Sequence, residues 1–108
     1  KLRIATNDTS GWYSNLRVGE TCAATKVIID DETDKILGAH LLGPEYAEII
    51  NFFSLAMRLD LTTSDLKKMV SAYPSVGSDI GSFAQPNIGS RQSEMRPVVV
   101  VPAICSRY

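Results

Sequence analysis

Tyr73-Pro74-Ser75, with Asp79 four positions beyond Ser75, place a phenol and a carboxylate in one short segment. A phenol donates a hydrogen bond, but a free Tyr titrates near about 10 and is a poor base at neutral pH. Asp79 suits a helix start, where its charge meets the positive end of the dipole, and an active-site carboxylate is the second reading. His40 is the single histidine. It falls on a strand expected to be buried, and nothing nearby in sequence would orient it as a base. A hydrogen-bonded structural role is the expectation for it. Cys22 and Cys105 stand far apart and form no C-x-x-C pair. Inert thiols are favoured over a structural disulfide, and one His cannot complete a zinc site. No set of nucleophile, base and orienting group assembles from one His and two distant Cys.

The totals narrow the classes. The chain has 108 residues, enough for one domain with a real core. A formal net charge of −1 leaves no basic excess to release counterions, which argues against a nucleic-acid partner. For the same reason Trp12 and Tyr13 suit an apolar anchor better than a base-stacking platform. No apolar run approaches the ~20 residues of a membrane helix, so a soluble domain without a membrane partner is expected. The start, Lys1-Leu2-Arg3-Ile4, lacks a signal peptide's apolar stretch and has no Met, as an excised fragment would.

The elements that must position Tyr73 follow from period and punctuation. Leu2 to Thr6 alternates as a strand with one wet face, and Asn7 to Gly11 is turn chemistry. Ala23 to Asp30 is rich in β-branched residues, and Lys35 to Leu42 forms a second run after the acidic turn Asp31-Glu32-Thr33-Asp34. The pair makes an antiparallel hairpin. Gly38-Ala39 removes bulk inside its second strand, so a close approach or a bend is expected there.

Gly43-Pro44 stops the strand, and Pro44 fits the first turn of a helix running from about 44 to 59. Tyr46, Ile49, Ile50, Phe53, Ala56 and Met57 recur at helical period, with Phe52 and Leu55 widening the stripe. One sheet cannot cover so broad a face. Core on one side and a dimer interface on the other is the expectation for Phe52, Phe53 and Met57, with monomer core alone as the other reading. Thr62 and Asp65 have the spacing of a capping box for a second helix, which ends near Ala72 because Pro74 follows. A short helix is predicted over about 78 to 84. Residues 85 to 97 have no period, and Val98 to Val101 is a strand candidate.

The Lys26-to-Asp30 strand, the acidic turn, Lys35-Ile36-Leu37-Gly38-Ala39-His40, Gly43-Pro44, Glu48-Ile49-Ile50-Asn51, and Leu61-Thr62 through Tyr73-Pro74-Ser75 together resemble one family. It is the carboxy-terminal dimerisation domain of FAD-dependent pyridine nucleotide–disulfide oxidoreductases such as glutathione reductase, dihydrolipoamide dehydrogenase and mercuric reductase. The resemblance covers roughly residues 2 to 84 and implies an α+β fold, an antiparallel β-sheet with helices packed on one face. It implies a homodimer in which each subunit completes the other's active site, in a cytoplasmic flavoprotein of redox homeostasis. FAD and NAD(P)H belong to two earlier domains of such an enzyme. This chain has no G-x-G-x-x-G fingerprint and no redox Cys pair, so alone it is expected to bind no cofactor and catalyse nothing.

The departure is at the turn. The family usually has His-Pro-Thr there, the His being the acid/base of thiol–disulfide chemistry, and a Glu orients it. The matching positions here are Tyr73, Pro74, Ser75 and Ser78, with Asp79 one further on. Tyr73 and Asp79 are therefore the candidate catalytic residues that the resemblance implies, and it puts Tyr73 and Pro74 at the dimer interface, Tyr73 either beside the partner's flavin or as a plain interface tyrosine. Mercuric reductases also resemble this chain in having Tyr there, but end in a Cys-Cys pair absent here. A divergent subfamily is the expectation. Residues 1–86 are expected to form the dimerisation domain, incomplete at its N-terminal edge. Residues 87–108 are a tail of uncertain origin, either vector or read-through sequence or a natural extension whose strand adds to a sheet edge. The alternative to an enzyme part is a stand-alone α+β protein-interaction module with no redox role.

Overall fold

The computed structural model describes residues 1–85; the candidate strand Val98 to Val101, Cys105 and the tail lie outside them. Three antiparallel strands, β1 (Leu2–Asp8), β2 (Ala24–Asp30) and β3 (Ile36–Leu42), form a sheet in the order β1-β2-β3. Helices α1 (Tyr13–Leu16), α2 (Tyr46–Arg58), α3 (Thr63–Lys67) and α4 (Ile80–Phe83) complete the described fold, with a 3-10 turn at Val76–Asp79 before α4. The α+β expectation holds.

Strand alternation decides which face is covered. Ala5, Val27, Ile29 and Ile36 point into the core with Tyr46, Ile49, Phe53 and Ala56 of α2. The opposite face carries Leu2 and Ile4, both exposed, and half-buried Ile28. Gly38 pairs with Ile28, and the register shifts between Ile28 and Ile29, so Leu37 is the extra residue of a bulge. A Cβ on Gly38 would stand 3.5 Å from Cδ1 of Ile28, an ordinary contact, so of the two expectations there it is the bend that is present. His40 is exposed on β3, not buried: its neighbours in alternation, Ala39 and Leu41, face the helices instead.

The helix expected from Pro44 begins at Tyr46. Glu45 is its N-cap and sits in the left-handed region at φ 61°, so Pro44 lies before the helix rather than in its first turn. Gly43, at φ 154°, lets the Tyr46 ring fold back over the chain; a Cβ there would come within 2.7 Å of that ring. α3 also ends early, at Lys67 rather than near Ala72. α4 packs against its end, where a Cβ on Gly81 would stand 3.6 Å from the Lys67 Cα.

Polar groups set the joints. Thr9 and Tyr46 hydroxyls share a hydrogen bond of 3.0 Å, and Nδ2 of Asn15 donates to the Thr9 carbonyl at 2.7 Å. Asp34, left-handed at φ 58°, ties the hairpin turn to α3. Its carboxylate accepts from Thr63 Oγ1 at 2.7 Å and pairs with Arg3 at 2.5 Å. Partial burial pushes the Asp34 carboxyl up, but these bonds and that from Ser64 outweigh it and hold it below the ordinary range.

The capping box at α3 is present as the spacing predicts. Asp65 N–H donates to Thr62 Oγ1 at 3.1 Å, and Thr62 N–H donates back to the Asp65 carboxylate at 3.0 Å. The Thr62 backbone and hydroxyl, with Lys68 nearby, lower the Asp65 carboxyl from 3.8 to about 2. A depressed carboxylate pKa stabilises the fold fully above the unfolded value, and the benefit is lost as pH falls through the folded value. Between pH 5 and pH 2, thermal melts should therefore fall further for the native chain than for Asp65→Asn. Equal slopes would show that the box contributes nothing.

Candidate functional site

Ser75 caps the 3-10 turn, accepting from Ser78 N–H at 3.2 Å, and Ser78 Oγ donates to the Ser75 carbonyl at 2.6 Å. This local closure fixes the segment from Pro74 to Asp79. The Tyr73–Pro74 peptide bond is cis, and the Tyr73 ring projects outward, 77% exposed. It stacks on Tyr13 of α1, ring centres 6.4 Å apart and planes 22° from parallel. Tyr13, Ser14, Tyr73, Pro74, Ser75, Ser78 and Asp79 line one small cleft.

Both candidate catalytic residues thus lie in one cleft, but Asp79 is already engaged within it. Its carboxylate accepts a short hydrogen bond from Ser14 Oγ, the hydroxyl of a buried residue of α1. Asp79 also precedes α4, in keeping with its reading as a helix-start residue. Tyr73 can offer a phenol O–H and a ring face to a ligand. The contribution of α1 was not legible: Tyr13 and Trp12 were expected as an apolar anchor, which holds for Trp12, whose ring lies 5.6 Å from Phe83. Tyr13 is instead exposed against Tyr73. The only sequence signal was their shared aromaticity, with sixty positions between them.

Beside this cleft lies the outer side of α2. Phe52 and Leu55 are 45% and 56% exposed, and Val70, beyond α3, is 97% exposed. Phe52, Met69, Val70, Ala72 and Ile80 line an apolar groove of about 220 Å³, which Ser75 joins to the Tyr73 cleft. Phe53 requires a correction. It is fully buried, stacked on Phe83 at 6.3 Å, because the helical period turns it toward the sheet while Phe52 turns away. Met57 is half-buried at the boundary, and Tyr73 and Pro74 are exposed.

A dinucleotide does not fit the described residues. All strand pairs are antiparallel, so there is no βαβ crevice. The one long helix start, that of α2, bears Glu45 at its cap and Glu48 in its first turn, which repel phosphate. Among the described residues, no group of three or more His, Cys, Asp or Glu could hold a metal ion, and no helix is long and apolar enough to cross a membrane.

The described fold is thus an antiparallel sheet backed by helices, with an apolar helix face outside the core. Residues 1–83 match the family described as the pyridine nucleotide-disulphide oxidoreductase dimerisation domain, and the chain belongs to that family. It is 42% identical over 79 residues to an uncharacterized 19.7 kDa protein of a mercuric resistance operon in Staphylococcus aureus, covering 73% of this chain and 44% of that protein. Over 84 residues it is 30% identical to a dihydrolipoyl dehydrogenase of Corynebacterium glutamicum, covering 78% of this chain and 18% of the enzyme. The chain thus spans less than half the length of either relative. In fold it is similar to the HOCl-induced flavoprotein disulfide reductase RclA of Escherichia coli, with a TM-score of 0.73 and 24% identity over 78% of this chain and 19% of that one.

Proposed function

We propose that this chain is the carboxy-terminal homodimerisation domain of an FAD- and NAD(P)H-dependent, disulfide oxidoreductase-like enzyme of the cytoplasm, inactive as an isolated piece. Family membership supports the reading, and one observation carries it: the apolar side of α2, continued by Val70, is left outside a core that is already closed. Monomers seldom leave such a face open. Tyr73 stands at the end of that face, where the partner's flavin would be met. The phenol replaces the family's His, so the chemistry we propose for Tyr73 is hydrogen-bond donation or ring contact rather than proton shuttling between thiols.

A second reading has its own support. The 42% identical relative has a mass of 19.7 kDa, too small to hold two nucleotide domains besides this fold. A stand-alone interaction module would share that plan. Analytical ultracentrifugation of the 108-residue chain at high micromolar concentration should show a homodimer; a strict monomer would remove the interface claim. The reading frame upstream of the Lys1 codon separates the two readings: a flavin-binding fold with a Cys pair supports the enzyme, and a start codon just before Lys1 supports the module.

A further inference from the structure

Three contacts converge on the Tyr73 turn from a single short helix. Tyr13 lies under the Tyr73 ring, Ser14 Oγ donates to the Asp79 carboxylate, and Arg17 Nη1 reaches the Pro74 carbonyl at 3.5 Å. Two of them meet the turn at its start, at Tyr73 and Pro74, and the third at its end, at Asp79. Nothing local to the turn can supply the first of these: an exposed tyrosine ring has free rotation about its side-chain bonds unless a neighbour holds it. Asn15, the residue between these contacts, is fully buried and bonded to the Thr9 carbonyl and to the Tyr46 hydroxyl. α1 is therefore anchored in the core through Asn15 and hands that rigidity outward through Tyr13 and Ser14.

We propose that α1 is the positioning element of the Tyr73 site: Tyr13 sets the angle of the Tyr73 ring, and Ser14 clamps the far end of its turn through Asp79. Tyr13 and Ser14 are positioning residues, acting through Tyr73 and Asp79. The stack needs a ring, not a hydroxyl, so Phe at position 13 preserves it. The Asp79 clamp needs a donor of hydroxyl size, so Thr at position 14 preserves it. The functional meaning of a fixed Tyr73 rests on the proposal that its face meets a second copy of the chain.

The test uses the 108-residue chain and two independent readouts. Amide hydrogen exchange followed by NMR should show Ser78 and Ile80 exchanging about tenfold faster in Ser14→Ala than in the native chain. Ser14→Thr should restore the native rate. Tyr13→Ala should erase the distinct chemical environments of the Tyr73 ring protons, and Tyr13→Phe should keep them. Unchanged exchange in Ser14→Ala together with an unchanged Tyr73 ring in Tyr13→Ala would overturn the proposal whether or not the chain dimerises. Where it dimerises, Tyr13→Ala should raise the dimer dissociation constant severalfold in the native background and not at all in Tyr73→Ala. Equal effects in both backgrounds would mean that Tyr13 acts on the interface by itself, and would overturn its role through Tyr73. A monomer with these exchange and ring effects intact would sink the homodimer reading alone.

Discussion

Phe83→Ala should destabilise this domain more than any other single truncation, by about 3–5 kcal/mol. Its ring is fully buried and lies against three others: Trp12 at 5.6 Å, Tyr46 edge-on at 5.6 Å and Phe53 stacked at 6.3 Å. Removing it opens a cavity among side chains from β1's following turn, α2 and α4, which cannot all collapse into one space. Domains of this size are typically stable by about 5–15 kcal/mol, so the loss removes a large part of the margin. Urea denaturation measures it directly. A midpoint within a few tenths molar of the native value would show that the aromatic cluster is not the keystone of the core.

The largest expected effect on assembly is that of Phe52→Asp combined with Leu55→Asp. Both side chains stand out from α2, one turn apart and on the side away from the sheet. If two copies close over this face, each new carboxylate is buried against apolar surface and its opposite number. A central apolar anchor is worth about 2–4 kcal/mol, so the dimer dissociation constant should rise at least about a hundredfold. Folding should change little, because neither residue is in the core. Sedimentation of the double variant beside circular dichroism separates the two outcomes. An undisturbed dimer would place the interface elsewhere.

What was legible in the sequence was local. The hairpin shows in its β-branched runs and acidic turn. The α3 cap shows in the spacing of Thr62 and Asp65, because both partners of each bond lie within one turn. The stripe of α2 shows because its period is intrinsic to a helix. Phe53 marks the limit: a broad stripe says that two surfaces exist, but not which ring goes to which. Only the sheet's position relative to the helix decides that, and it buries Phe53 and leaves Phe52 out. His40 fails for a related reason, since the bulge at Leu37 resets the alternation along β3. Asp34 was one acid in a polar turn, and its bonds to Thr63 and Ser64 span about thirty positions. At the Tyr73 turn the resemblance located the residue. The contacts from α1 come from the other end of the chain and leave no periodic trace.

The amide of Asn7, buried on β1, donates to the main-chain carbonyl of Phe83 at 3.2 Å across 76 positions. The first strand and the last helical turn among the described residues are thus stitched together, and Phe83 supplies the ring on which Trp12 and two rings of α2 lean. On a ribosome the hairpin can pair early, yet the oily interior stays open until the last few of these residues leave the tunnel. A nascent chain halted just short of Phe83 would present a half-lined sheet and a greasy helix to the cell, a natural client for chaperones. Maturation of this fold is therefore gated by the emergence of Phe83.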